Sequence, residues 1–276
     1  MEEKYQPIGM LDSGVGGLTV AREVSHMMGQ EEIIYYGDTL HLPYGPRSLD
    51  EVRGFVFEII DFLLDEKKAK AVVLACNTAT SAALEEARNK YDIPIFGTID
   101  SVTQRAYELS ENKKVGVIGT EGTINSQAYQ NSLLDIDSSL DVYSAACPEF
   151  VSLVEQGTFN GPNVEFWAYK YLAGLCQANI DVLILGCTHF PYLIPVLQNI
   201  MGPEVTLLSS GEAMAQEIKN VLAEKNLLYP KQRKSKIKQQ EFLVSDQNKV
   251  SEKFLSKGRS YLELPALEFE EYNIFE

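Results

Sequence analysis

Short, unbroken apolar runs alternate along the chain with longer stretches whose apolar residues recur at helical spacing. Ile8-Gly9-Met10-Leu11, Ile33-Ile34-Tyr35-Tyr36 and Ala71-Val72-Val73-Leu74-Ala75 are runs of the first kind. Each ends in small polar residues: Asp12-Ser13-Gly14-Val15-Gly16-Gly17, Gly37-Asp38-Thr39 and Cys76-Asn77-Thr78. A run without polar alternation predicts a strand buried on both faces. Leu18 to Met28 predicts a helix after the first run. Leu49 to Lys70 predicts another, with Val52, Phe55, Val56, Ile59, Ile60 and Leu63 on one side. Strand, helix and strand in succession predict an α/β fold with a mainly parallel sheet.

The pattern then recurs. Val115-Gly116-Val117-Ile118 ends in Gly119-Thr120, Val142-Tyr143-Ser144-Ala145-Ala146 in Cys147-Pro148, and Val182-Leu183-Ile184-Leu185-Gly186 in Cys187-Thr188-His189. Matching the runs in order pairs Ser13 with Thr120, Asp38 with Cys147 and Cys76 with Cys187, at offsets of 107, 109 and 111 residues. Near-constant offsets of domain size predict two pseudo-duplicated α/β domains with the active site in the cleft between them, not a solenoid. Coincidental likeness among hydrophobic strands is the alternative. The expected division is residues 1–97 plus 208–276 for a discontinuous first domain and 98–207 for the second. Ala213 to Ala223 predicts a helix and Phe242-Leu243-Val244 a strand, both expected to complete the first domain.

The 276 residues are 45% hydrophobic and 23% charged, which sets aside disorder or collagen-like structure for the chain as a whole. Acidic residues number 39 against 24 basic ones, a formal charge of −15 and the opposite of the basic face a nucleic-acid binder carries. The local basic run from Lys231 to Lys238 sits in a polar stretch and reads as a solvated loop. No apolar run approaches the ~20 residues of a membrane helix. Met1-Glu2-Glu3-Lys4 has no apolar signal region behind it. The expectation is a cytoplasmic protein with no nucleic-acid or membrane partner. Cys76, Cys147, Cys176 and Cys187 are then expected as reduced thiols.

Ligands of parallel α/β sheets bind beyond the carboxyl ends of the strands. Asp12, Ser13, Asp38, Thr39, Cys76, Asn77, Thr78, Thr120, Cys147, Cys187, Thr188 and His189 stand there, with no Lys or Arg among them. Taken singly, Cys76 and Cys187 read as buried core thiols. As a matched pair across a cleft, they suit removal of a proton from one face of a carbon and delivery to the other. A thiol titrates near ~8.5, so thiol and thiolate coexist near neutrality with modest tuning. A disulfide conflicts with a reducing compartment. No metal is expected, because no C-x-x-C pair exists and the histidines are only His26, His41 and His189. The 12–17 loop matches neither common phosphate-binding pattern. It either supplies turn glycines or places Asp12 beside a catalytic group and Ser13 against a substrate carboxylate. Pro43-Tyr44-Gly45 is a turn by default. His189 is structural or assists Cys187, two residues away. Glu155 by spacing alone is a solvated helix carboxylate.

On these residues the chain resembles the glutamate racemase family. The matching segments are LDSGVGGLTV (11–20), YYGDTLHLPYG (35–45), ACNTAT (75–80), VGVIGTEGTI (115–124), ACPEFVSLVEQG (146–157) and LGCTHFP (185–191). The related aspartate racemases share the two-cysteine plan but typically carry Glu where His189 stands. The resemblance implies a cofactor-independent racemase that interconverts L- and D-glutamate, supplies D-glutamate for bacterial peptidoglycan, and forms a homodimer. By similarity, Cys76 takes the α-proton of the D-enantiomer and Cys187 that of the L-enantiomer. Asp12 would assist Cys76, and Glu155 and His189 would assist Cys187. Asp12, Ser13, Tyr44, Gly45, Asn77, Thr78, Thr120, Thr188 and His189 match substrate-binding positions. The chain departs from the family at Ser209, usually Asp, and at Thr98-Ile99-Asp100-Ser101, usually of a Val-Ile-Glu-Pro type.

Overall fold

Ten strands form two separate parallel sheets in the computed structural model, which describes residues 2–230, 240–262 and 267–275. The basic run at 231–238 lies outside the described residues. β1 (Ile8–Asp12), β2 (Ile33–Gly37), β3 (Ala71–Leu74) and β4 (Ile95–Gly97) build the first sheet, and β5 (Lys114–Gly119), β6 (Asp141–Ala146), β7 (Val182–Gly186) and β8 (Thr206–Ser209) build the second. β9 (Glu241–Val244) and β10 (Glu270–Glu271) then return to the first. The orders are β10-β9-β2-β1-β3-β4 and β6-β5-β7-β8. In each sheet the first strand is central, the second lies on one side, and the third and fourth lie on the other. The strand matching read from the offsets is therefore repeated in the topology.

The helices are α1 (Leu18–Met27), α2 (Leu49–Asp65), α3 (Asn77–Lys90), α4 (Asp100–Leu109), α5 (Glu121–Asn125), α6 (Ala128–Ile136), α7 (Pro148–Glu155), α8 (Pro162–Ala178), α9 (Ile194–Met201), α10 (Ser210–Glu224) and α11 (Glu252–Leu262). Ser48 caps α2 by accepting from the Glu51 N–H, and the expected face is buried at Val52, Val56, Ile59, Ile60 and Leu63. The helix stops short of Lys70: Lys68 takes φ +57° and the Ala69 N–H turns back to the Leu63 carbonyl. α10 starts at Ser210, earlier than the periodicity indicates, because small polar residues open its first turn.

β1, β2 and β3 are buried at every position, as unbroken apolar runs require. β6 is a correction: none of its residues is fully buried, because it is the edge of the second sheet and has only β5 beside it. β4 and β8 were not anticipated; both are short closing strands, paired with β3 and β7. β8 pairs with β7 as far as Ser209, so the chain leaves the second sheet there, and α10 packs on α1. One apolar cluster runs from Met10 and Val73 of the first sheet to Ile118 and Leu185 of the second. Two others fill the outer layers beneath α2 and α3, and beneath α4 and α6.

Candidate active site

The carboxyl ends of β1, β3, β5 and β7 converge on a cavity of about 440 Å³ between the two sheets. Ser13, Tyr44, Gly45, Cys76, Asn77 and Thr78 line it from the first half, and Thr120, Glu155, Cys187, Thr188 and His189 from the second. Of the residues that the family resemblance assigns to the site, only Asp12 is not on the wall; it is fully buried at the end of β1 and accepts from the Thr188 hydroxyl at 3.3 Å. Leu42, Pro43, Pro46, Glu121, Pro148, Val151 and Ser152 also line the cavity. The segments around Pro43, Thr120 and Pro148 had signals in the sequence; Leu42, Val151 and Ser152 lie inside the family-matching segments, but neither residue type nor spacing singles them out.

Cys76 is the N-cap of α3, where its Sγ accepts from the Ala79 N–H at 3.5 Å. Burial, reinforced by the Asp12 charge, pushes its thiol up to about 12, against the opposing pull of the Ala79 N–H and the Ser13 hydroxyl. Cys187 lies 3.7 Å from His189 Nδ1, and His189 Nε2 meets Glu155 Oε1 at 2.5 Å. Burial pulls His189 towards the neutral form, but Cys187 and Glu155 outweigh it and hold the imidazole well above its ordinary range. The imidazole thus stands between a thiol and a carboxylate, both of which favour its protonated form. Burial raises Asp12, against the His189 charge and the Gly17 and Gly14 N–H groups.

The 12–17 loop is a spacer. A Cβ on Gly16 would stand 2.5 Å from His189 Cε1 and 2.6 Å from Thr188 Oγ1, so glycine lets the second half close onto the first. Further contacts cross the cleft, among them Thr19 Oγ1 donating to the Thr188 carbonyl at 3.2 Å, the Gly122 N–H to the Gly45 carbonyl at 3.0 Å, and the Thr78 and Thr120 hydroxyls meeting at 3.0 Å. Thr19 was not foreseen, because nothing local in the sequence links it to Thr188.

The second matched pair, Asp38 and Cys147, does not reach the cavity wall. Asp38 is buried and accepts from the Tyr44 hydroxyl at 2.7 Å and the Ser245 hydroxyl at 3.0 Å, with His41 Nδ1 at 2.9 Å. It anchors the Tyr44 loop to the end of β9. Thr39 binds the Asp246 carbonyl at 2.7 Å. Cys147 is buried, and burial raises its thiol. All four cysteines are free. Among the described residues no group of three or more His, Cys, Asp or Glu side chains is arranged to hold a metal ion.

The family that matches residues 18–218 is described as Asp/Glu/Hydantoin racemase. The chain belongs to this racemase family. It is an isomerase acting on amino acids. It is 50% identical over 217 residues to a glutamate racemase of Shouchella clausii, covering 79% of this chain and 78% of that one. The glutamate racemase isoform RacE1 from Bacillus anthracis superposes with a TM-score of 0.89 at 36% identity, covering 98% of each chain. The Francisella tularensis glutamate racemase, solved in complex with D-glutamate, gives 0.88 at 32% identity over 99% of each. The racemase-family segments quoted from the sequence are the ones that wall the cavity.

Proposed function

We propose that this racemase acts on glutamate without a cofactor, by a two-base mechanism in which Cys76 and Cys187 face opposite sides of the α-carbon. One observation carries the reading: two thiols at equivalent strand ends of two pseudo-duplicated sheets reach one cavity from different halves. The glutamate racemases it resembles supply the substrate.

In the L-to-D direction Cys187 is the base, with His189 as its counter-ion. It removes the α-proton and becomes a thiol. Cys76, held protonated, gives its proton to the opposite face and becomes a thiolate, and D-glutamate results. The reverse direction needs Cys76 deprotonated, and buried Asp12 is the adjacent group whose raised affinity for a proton suits that transfer. Ser13, Asn77, Thr78, Thr120 and Thr188 supply hydroxyl and amide groups for the two carboxylates. The α3 N-terminus at Cys76 adds a partial positive charge beside them. Fixed dipoles aimed at the reacting carbon are what a carbanion-like transition state without an electron sink requires.

The same reading makes the product D-glutamate for peptidoglycan, and the enzyme a cytoplasmic homodimer. Among the described residues no helix is long and apolar enough to cross a membrane. The test is purified reduced protein with L-glutamate and no added cofactor, followed by circular dichroism. The signal decays to that of the racemate, and aspartate reacts at least ~100-fold more slowly in kcat/KM, about 3 kcal/mol of discrimination. A flat signal from folded protein, or faster turnover of aspartate, contradicts the assignment.

A further inference from the structure

Asn77, the residue after Cys76, lines the cavity, and its carboxamide is held from the opposite half of the molecule. The Tyr129 hydroxyl, on α6, donates to Asn77 Oδ1 at 2.5 Å. Both residues are almost wholly buried, with relative exposures of 2% for Tyr129 and 3% for Asn77. The phenol ring is seated against β7: a Cβ on Gly186 would lie 3.1 Å from Tyr129 Cε2 and 2.8 Å from the Ile118 carbonyl. Gly186 immediately precedes Cys187, so one ring touches the strand end that presents the second thiol and bonds the residue that follows the first.

An amide can be turned end for end at little steric cost, so a cavity-lining Asn has to be told which end faces the ligand. Here the oxygen is occupied by the phenol. Among the described residues nothing accepts from Nδ2, which leaves the two amide hydrogens for the cavity. The Thr98 and Ser210 hydroxyls face the phenol oxygen. Burial keeps the phenol protonated, so it stays a donor.

We propose that Tyr129 is a positioning residue for substrate carboxylate recognition: it fixes Asn77 with its amide N–H groups turned into the cavity, and does so only when the two halves are closed. This rests on the glutamate reading above. A free amide samples both orientations, and one of them presents an oxygen to an anion. Losing the phenol therefore weakens binding of a substrate with carboxylates more than it slows proton transfer.

The test is steady-state kinetics with glutamate in both directions for wild type, Tyr129→Phe, Asn77→Ala and the double variant, with a melting curve for each. Tyr129→Phe is expected to raise KM about tenfold, the scale of one hydrogen bond to a charged group, with kcat within about threefold. Asn77→Ala raises KM at least as much, and adding Tyr129→Phe to it changes nothing further. Asn77→Asp is a second probe: it keeps an oxygen for the phenol but puts an acceptor and a negative charge where the cavity-facing N–H donors stood, so KM rises. An unchanged KM in Tyr129→Phe, an equal loss on top of Asn77→Ala, or a wild-type KM in Asn77→Asp overturns the inference. A wild-type enzyme that leaves glutamate unconverted overturns the substrate reading and this inference with it. An active wild type with an indifferent Tyr129→Phe overturns this inference alone.

Discussion

Cys76 and Cys187 occupy equivalent places but sit in different electrostatic surroundings. Cys76 has a buried carboxylate, Asp12, as its strongest charged neighbour; Cys187 has the His189 imidazole, whose protonated form its surroundings favour. Replacing either with Ala removes one proton-transfer group, and racemisation should fall by ~10²–10⁴-fold or more in both directions, read by circular dichroism. Cys76 also leaves a mark on stability. Its native value of about 12 lies above the ordinary thiol value of 9.0, so the folded state holds a proton that the unfolded chain gives up as pH rises past about 9. Stability contributed by the neutral thiol is complete below that pH and is lost between about 9 and 12, by up to about 1.4 kcal/mol per pH unit. Melting temperatures between pH 8 and 11 should therefore fall more steeply for wild type than for Cys76→Ala. Parallel curves would remove Cys76 as the cause. These residues were legible in the sequence because a strand end and the residues after it are neighbours along the chain. Ser245 on Asp38, Thr19 on Thr188 and Tyr129 on Asn77 were not, since each pair meets only through the fold.

The elements show the same division. Unbroken apolar runs foretold β1, β2, β3, β5 and β7, whose both faces are covered. The same signal misled at β6, because an apolar run does not say whether a strand has one neighbour or two. β4 and β8 gave too few residues for any periodicity. The glycines of the 12–17 loop were read as turn formers or as placing Asp12 and Ser13; Gly16 and Gly17 do form a turn, and Gly16 is also needed for close approach between elements. Gly16→Ala pushes against His189 and Thr188, and kcat/KM should drop at least ~30-fold, about 2 kcal/mol of lost transition-state stabilisation. Gly54 is the control. It lies within α2, and its added Cβ meets nothing within 4 Å. Gly54→Ala should stabilise the protein by about 0.5–1 kcal/mol in denaturant unfolding and leave activity unchanged. Loss of stability there would mean that α2 is packed differently.

At the scale of the molecule, the chain crosses from the first sheet to the second and back, and the first half is closed by segments distant in sequence. One staple is a buried ion pair: Lys70 Nζ meets Glu31 Oε2 at 2.5 Å and donates to the Lys4 carbonyl at 3.1 Å, while Glu31 Oε1 accepts from the Tyr229 N–H at 2.7 Å. It ties the N-terminus, the approach to β2 and the segment after α10 together. Lys70→Met strands a buried carboxylate, and unfolding free energy should fall by about 3–5 kcal/mol; a loss under 1 kcal/mol would show that the pair is solvated in solution. The cavity lined from both halves is the other whole-molecule feature, and it makes two-sided proton transfer possible. The most direct test of that claim is L-glutamate racemised by wild-type protein in D₂O, with each enantiomer's α-deuterium measured by mass spectrometry in the first few per cent of conversion. Two thiols on opposite faces predict D-glutamate labelled at the α-position from the first turnover, drawn from L-glutamate that is still unlabelled. D-glutamate that keeps the substrate's own α-hydrogen would mean a single base working on both faces, and would contradict the account.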